Sequence, residues 1–307
     1  MPPMWHRWPA SFWSRSTTLN EKACISVSMM RASRPRALDW RTMFRPRTLF
    51  APALLAIIAV AAPPATAEEL NAEQIIEKAL SQGSAVAFQQ GTASLTMTIV
   101  NAQGQEKKQS LDIKAAKDDK GLLRSLVRFT PPAGVAGVSF RVLEKKDALP
   151  DQFVYIPATK QIRQITAGSA TSSFFGSDFT FVDLMPLPAD QRDQVKITRL
   201  PDGSVGKQKT YVIEAAPQVA GSPYSKLVVH VDQKMLIPLK IEFFDPAKKA
   251  LKTLSIRKLK KMKGEVIPVD MVMKNVQKNT RTELVIEKLN PDAKLTDADF
   301  TDEAMKR

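Results

Sequence analysis

LTMTIVNAQGQEKKQSLDIKAAKDDKGLLRSLVRF, residues 95–129, holds three runs of alternating side chains separated by two turns. Leu95, Met97 and Ile99 alternate with Thr96 and Thr98, then Asn101-Ala-Gln-Gly104 turns the chain. Leu111, Ile113 and Ala115 alternate with Asp112 and Lys114, then Asp118-Asp-Lys-Gly121 turns it again, and Ser125, Val127 and Phe129 alternate with Arg124 and Arg128. A period of two with short Gly-containing turns predicts half-buried antiparallel strands. The same pattern recurs at 140–144, 153–156, 195–200, 211–215, 227–231, 239–244, 251–259, 266–276 and 282–288. The connections are too short for parallel crossovers. About a dozen strands in one sheet must curl. One helix precedes them: Asn71-Ala-Glu-Gln74 has capping-box spacing, Ile75, Ile76, Ala79 and Leu80 form an apolar face, and Gly83 closes it. At the other end, residues 295–300 read as a loop or one helical turn.

The 307 residues are not uniform. Residues 1–42 hold all four Trp and one of the two His, are rich in Arg, and show no sustained period. Met43, Arg45 and Arg47 then precede an apolar run at 49–62 and Ala65-Thr-Ala67. This is the order of a secretory signal peptide, and the run is shorter than the roughly 20 residues of a membrane span. The expectation is that 1–42 is a mis-assigned upstream extension, 43–67 a signal peptide cleaved after Ala67, and 68–307 one domain. That domain keeps 36 Lys+Arg against 29 Asp+Glu, no Cys, and His230 as its one His. An exported chain without cysteine rests on its core alone. The densest basic run is Lys258, Lys260, Lys261 and Lys263. A solvated face is its simpler reading, and contact with an anionic lipid surface the alternative.

The residues argue against catalysis. There is no G-x-S-x-G elbow, Walker loop or H-E-x-x-H motif. His230 is expected on the sheet surface, opposite Leu227, Val229 and Val231. Without Cys, and with one His, the domain 68–307 offers no zinc-type ligand set, and no metal or cofactor is expected. Asp118-Asp119 and Asp297, Asp299 and Asp302 lack calcium-loop spacing and read as turn and cap residues.

What remains is a surplus of apolar side chains: Leu122 and Leu126, Val154 and Ile156, Val228, Phe243 and Phe244, and Met271-Val-Met273. One short helix cannot cover the inside of so large a curled sheet. An uncovered apolar concavity is expected to bind something. SSFFGSDFTFVDL, residues 172–184, adds four Phe around a Gly-Ser-Asp centre.

The segments LVRFTPPAGVAGVSFRVLEK, DQFVYIPATKQIRQI and SSFFGSDFTFVDL together resemble the central signature of the LolA-like periplasmic family of outer-membrane lipoprotein-sorting proteins. The matching positions are Arg128, Phe129, Pro132, Gly137, Tyr155, Pro157, Arg163, Phe175, Gly176, Ser177, Asp178, Phe179, Asp183 and Leu184. Phe153 stands where the family has Trp. The resemblance implies a mainly β fold with few helices: a single, strongly curved, unclosed antiparallel sheet, or half-barrel, around helical lid segments. It implies a periplasmic carrier or acceptor of lipid or lipoprotein acyl chains moving between inner and outer membrane. The partner would be a membrane-bound donor or acceptor, with an RND-type exporter as one form. Phe129, Phe153, Tyr155, Phe174, Phe175, Phe179, Phe181, Met271 and Met273 are then expected to line the cavity or its lid. Arg163, Gly176 and Asp178 would hold the lid, with Asp178 capping the next turn or pairing with Arg163. The competing reading is a periplasmic sensor that responds to lipids or mislocalised lipoproteins.

Overall fold

The structure, a computed structural model, describes residues 70–81, 90–131, 134–146, 148–166, 168–184, 194–219, 221–262 and 264–307. The expected upstream extension, the signal peptide and its cleavage point, and Gly83, Pro132 and Lys263, lie outside the described residues. Those described fall within one compact unit, Pro64–Arg307.

Helix α1 spans Ala72–Ser81. Its start is the capping box read from the sequence: Gln74 N donates to Asn71 Oδ1 (2.9 Å) and Asn71 N donates to Gln74 Oε1 (3.0 Å). Among the described residues thirteen strands follow: β1 Gly91–Val100, β2 Glu106–Lys117, β3 Leu123–Thr130, β4 Ser139–Lys145, β5 Ala148–Ile156, β6 Gln161–Gln164, β7 Val195–Val205, β8 Gln208–Pro217, β9 Lys226–Asp232, β10 Pro238–Phe244, β11 Ala250–Met262, β12 Glu265–Asn275 and β13 Thr280–Asn290. A 3-10 turn, Asp297–Phe300, and helix α2, Asp302–Lys306, end the chain.

All thirteen strands form one antiparallel sheet in the order β6-β5-β4-β3-β2-β1-β13-β12-β11-β10-β9-β8-β7. The chain walks outward from β1 to β6, crosses to the far edge, and walks back from β7 to β13. The seam between the two arms is the β1–β13 pair, from Thr92↔Asn290 to Val100↔Arg281. Gly91 sits where a Cβ would meet Asn290 O at 2.2 Å, so only glycine lets β1 begin against β13 there. Strands β6 and β7 do not pair, so the sheet is unclosed.

The crossover between β6 and β7 shows that the sheet curls. Seven strand spacings of about 4.8 Å would put β5 about 34 Å from β11 in a flat sheet. Gln152 on β5 nevertheless donates to Phe181 O (3.1 Å), and Lys252 on β11 donates to Asp183 Oδ2 (2.5 Å). The two acceptors are two residues apart. Both strands can reach them only if the sheet wraps around the crossover.

Register assigns every residue to a face. Val154, Phe140 and Val127 lie opposite one another across β5, β4 and β3, and Met97, Leu284 and Met271 across β1, β13 and β12. These side chains face the crossover and form the main core. The same inner face continues to Val229, Val231 and Ile213, where Ile75 and Ala79 of α1 cover it. The outer face of β2–β5 carries Leu126, Phe153 and Tyr155 beneath Phe300, Ala304 and Met305 of the C-terminal segment. The inner face is thus covered by the crossover and α1, and the outer face of β2–β5 by residues 295–307.

Candidate functional site

The crossover enters the sheet as a small loop. Ser173 and Thr180 form an isolated antiparallel bridge, and Phe174 N donates to Phe179 O (2.7 Å). The tip is Phe175-Gly176. Both adopt left-handed backbone, Phe175 with φ 48° and Gly176 with φ 84°. Gly176 takes that conformation freely. For Phe175 it costs about 1–2 kcal/mol, which its ring contacts oppose: 4.7 Å to Phe129, 4.8 Å to Phe174 and 6.1 Å to Phe181, all edge-on. Phe140 packs against Phe174 and Phe181 at 5.3 and 5.4 Å. Phe129 (0% exposed) and Phe179 (1%) are fully buried, while Phe175 is half-buried.

Two polar anchors hold this aromatic loop. The Asp178 carboxylate accepts from the Thr280 and Thr282 hydroxyls of β13, and Asp178 N donates back to Thr282 Oγ1 (2.8 Å). The second anchor centres on Asp183. Its carboxylate accepts from Lys252 Nζ, from Tyr224 OH (2.6 Å) and from Thr180 N (2.7 Å). The side chains of Lys252 and Asp183 are each only 3% exposed. The Lys252 ammonium also lies over the Tyr224 and Phe243 rings. Burial and the neighbouring Asp183 charge push the Tyr224 hydroxyl far above the ordinary tyrosine range, so it acts as a fixed donor. A small cavity of about 190 Å³ opens beside these anchors, bordered by Ser177, Asp178, Tyr224, Lys252 and Asn275.

The expected site residues divide. Phe129, Phe174, Phe175, Phe179, Phe181, Met271 and Met273 meet in one inner core. Phe153 and Tyr155 do not belong to it. Val154 faces inward, so its two neighbours face outward, under the C-terminal segment. Arg163 donates to Gln161 (2.9 Å) and does not reach Asp178, whose oxygens are taken by the two threonines; Asp178 caps no turn either. His230 lies on the outer face as expected, half-buried, 3.1 Å from Glu242. Burial pushes Glu242 upward, but hydrogen bonds from Lys240 and His230 outweigh it and hold the carboxyl below its usual range.

Three features escaped the sequence reading. One is the Lys252–Asp183–Tyr224 anchor. Another is Gln109, opposite Met97 on the inner face, 1% exposed with neither amide atom partnered among the described residues. The third is the C-terminal clamp. Asp299 pairs with Lys114, Asp297 with Arg124 and Asp302 with Arg141, each at 2.7 Å. Arg141 also donates to Phe300 O (2.9 Å), Ser139 Oγ donates to Met305 O (2.8 Å), and Arg128 donates to the carbonyls of Ala304 and Arg307. Among the described residues, no helix is long and apolar enough to cross a membrane, and no group of three or more His, Cys, Asp or Glu is arranged to hold a metal.

Residues 121–307 match a family model described as "Uncharacterized protein". No curated protein is significantly similar in sequence. Solved structures are. A domain named for outer membrane lipoprotein sorting, from Vibrio parahaemolyticus, is 27% identical with a TM-score of 0.69, covering 77% of this chain and all of that one. A DUF1329 family protein from Desulfovibrio piger is 23% identical with a TM-score of 0.67, covering 76% and 98%. A LolA superfamily protein from Nitrosomonas europaea is 19% identical with a TM-score of 0.57, covering 76% and 99%. The last two establish the fold alone. The family resemblance read from the three central segments is therefore met by LolA-like and lipoprotein-sorting structures, and the unclosed antiparallel sheet is common ground.

Proposed function

Since the chain belongs to the family whose model it matches over 121–307, and its fold is LolA-like, we propose that it is a periplasmic carrier or acceptor of lipid or lipoprotein acyl chains. Its crossover is a plug that occupies the acyl site when no cargo is bound. The observation that carries this reading is the aromatic loop itself. A curled sheet with an apolar inner face is filled by a separate segment whose tip is backbone-strained and only half-buried. Nothing in such a site points to catalysis; it binds.

The exchange is chemically balanced. An acyl chain replaces phenyl groups against the same Met, Leu and Val side chains, gaining about 0.8 kcal/mol for each buried methylene. Such burial is non-directional, so varied chains fit. The loop's ring contacts at its tip are lost when it withdraws, while the Lys252–Asp183 anchor at its base keeps it attached. Gln109 offers unmet hydrogen-bonding capacity on the inner face, which an ester or amide carbonyl of the cargo could meet. Release requires a membrane-bound donor or acceptor, an RND-type exporter being one form, that favours the open state.

The test is uptake of a fluorescent fatty acid by the chain from Glu68 onward, with Phe175→Asn as the diagnostic variant. Asn tolerates left-handed backbone and removes the ring contacts of the tip. If plug and acyl chain compete, opening becomes easier and apparent affinity rises severalfold, because affinity scales with the open fraction. Unchanged affinity in the variant would end the plug reading. No uptake by either protein, together with native mass spectra free of co-purified acyl lipid, would end the carrier reading.

A further inference from the structure

The β11–β12 hairpin outruns the sheet. Strand β11 pairs with β10 only from Ala250 to Ser255, and β12 pairs with β13 only from Asp270 to Asn275. Ile256 and Lys258 still face Met271 and Asp270 at the edge of the sheet, and beyond them Leu259–Met262 and Glu265–Pro268 pair with each other and with no other described strand. The result is a two-stranded ribbon about 13 Å long, at about 3.3 Å per residue. Its base is fixed by Arg257, which bonds both Asp270 (2.7 Å) and Glu283 of β13 (3.0 Å).

The chemistry of the ribbon is uneven. Residues 257–269, RKLKKMKGEVIPV, hold five basic side chains and one acid. Arg257 is engaged at the base. Lys258, Lys260 and Lys261 are exposed and make no ion pair among the described residues, although opposite charges are paired elsewhere on this surface. Leu259, Met262, Val266, Ile267 and Pro268 are half-buried, on a ribbon that no other strand flanks. The rungs alternate these two kinds of residue: Lys260 stands opposite Ile267, Lys261 opposite Val266, and Leu259 opposite Pro268. A lysine stem lying along an aliphatic neighbour can raise its ammonium to a phosphate plane while the aliphatic group sinks beneath it. Uncompensated positive charge rung by rung with aliphatic groups, on an element standing clear of the sheet, matches an anionic phospholipid bilayer surface.

We propose that this ribbon docks the protein on anionic phospholipid bilayers. The inference is independent of whether the inner face binds acyl chains, although the two together would let cargo pass close to a membrane.

The experiment is vesicle co-sedimentation of the chain from Glu68 onward, without cargo. Vesicles of phosphatidylcholine alone are compared with phosphatidylcholine containing 30% phosphatidylglycerol (about 30%, chosen to give a strong surface potential). Binding is expected to the anionic vesicles only and to weaken as salt rises from 20 to 300 mM (about 20 to 300 mM, spanning strong to weak screening). Lys258→Gln/Lys260→Gln/Lys261→Gln should weaken it by about tenfold or more, since each lysine near such a surface is worth roughly fivefold. Lys160→Gln/Lys207→Gln/Lys209→Gln removes the same charge from other exposed positions and should leave binding nearly intact. Circular dichroism confirms that both variants are folded. No binding to anionic vesicles, equal loss in the two triple variants, or equal binding to neutral vesicles would each overturn the proposal. A fatty-acid uptake result of either sign leaves it standing.

Discussion

The crossover and the C-terminal segment both lie across several strands of one sheet, on opposite faces, and they are held by opposite means. The crossover is attached by aromatic packing and a desolvated ion pair with each partner 3% exposed. The C-terminal segment is attached by three ion pairs, two of whose acids are largely open to water, Asp297 at 91% and Asp302 at 61% against 24% for Asp299, and by a small apolar footing around Met305. Attachment by open ion pairs is individually weak and screened by salt. Attachment by buried charge is rigid in one geometry and punishing when half removed. The segment with the deeper anchor is the one proposed to move, so its motion must pivot about the anchor. On that proposal the tip leaves the core while Asp183 stays with Lys252.

The largest expected effect tests that pivot. Lys252→Met strands Asp183 in the interior and should destabilise the fold by about 3–5 kcal/mol, read as a lowered urea midpoint. A loss below 1 kcal/mol (about one-third of the expected minimum) would mean the anchor is wetter than its geometry implies. Next comes the footing on the other face. Met305 is fully buried, and Met305→Ala should lose about 2–3 kcal/mol, at the low end for buried methionine because the segment can settle into the gap. If this variant equals Lys252→Met, the contrast between the faces fails. A third variant has the opposite sign. Gln109→Leu removes two unpartnered buried amide atoms and should raise stability by about 1 kcal/mol. A fall would show that the amide has a partner in solution.

The smallest effect concerns protons. The Lys114 hydrogen bond, with the backbone N–H of Thr296, holds Asp299 below the usual carboxylate range. In the unfolded chain the same group takes up its proton at a higher pH. Its contribution is therefore complete above about pH 4 and disappears as pH falls through the lower folded-state value. Amides of 297–306 should exchange faster at pH 3 than at pH 6 (about one unit below and two above the ordinary carboxylate value), once intrinsic rates are removed. Asp299→Asn should flatten that dependence.

Much of the architecture was legible, because twelve of the thirteen strands contain apolar or alternating runs bounded by turns. The exception, β6, is Gln-Ile-Arg-Gln at an edge, where one face has nothing to bury against. The parity of β5 was not legible. In Phe153-Val-Tyr-Ile156 both alternations are apolar, because the outer face is covered too, and a strand buried on both sides does not announce which side is in. That is why Phe153 and Tyr155 were assigned to the interior. The surplus apolar residues were read as an open concavity because their covers, the crossover and the C-terminal segment, are recognisable as covers only in three dimensions. The anchors were invisible for the same reason: Lys252, Asp183 and Tyr224 are far apart in sequence and ordinary in isolation. The aromatic loop could be seen because its four Phe are adjacent, and the resemblance of three segments supplied its setting.

The seam between β1 and β13 also sets an order of assembly. Within each arm every strand pairs with its sequence neighbour, so both arms are meanders of local contacts that can form early and independently. Among the strand pairs, the seam alone joins residues far apart in sequence, from 181 positions at Val100↔Arg281 to 198 at Thr92↔Asn290. The closure of that loop comes last and slowest. Until residue 290 has been delivered, the chain holds two half-sheets whose inner faces lie bare, and the interval between synthesis of the first strand and arrival of the last is when it most needs protection from its own kind.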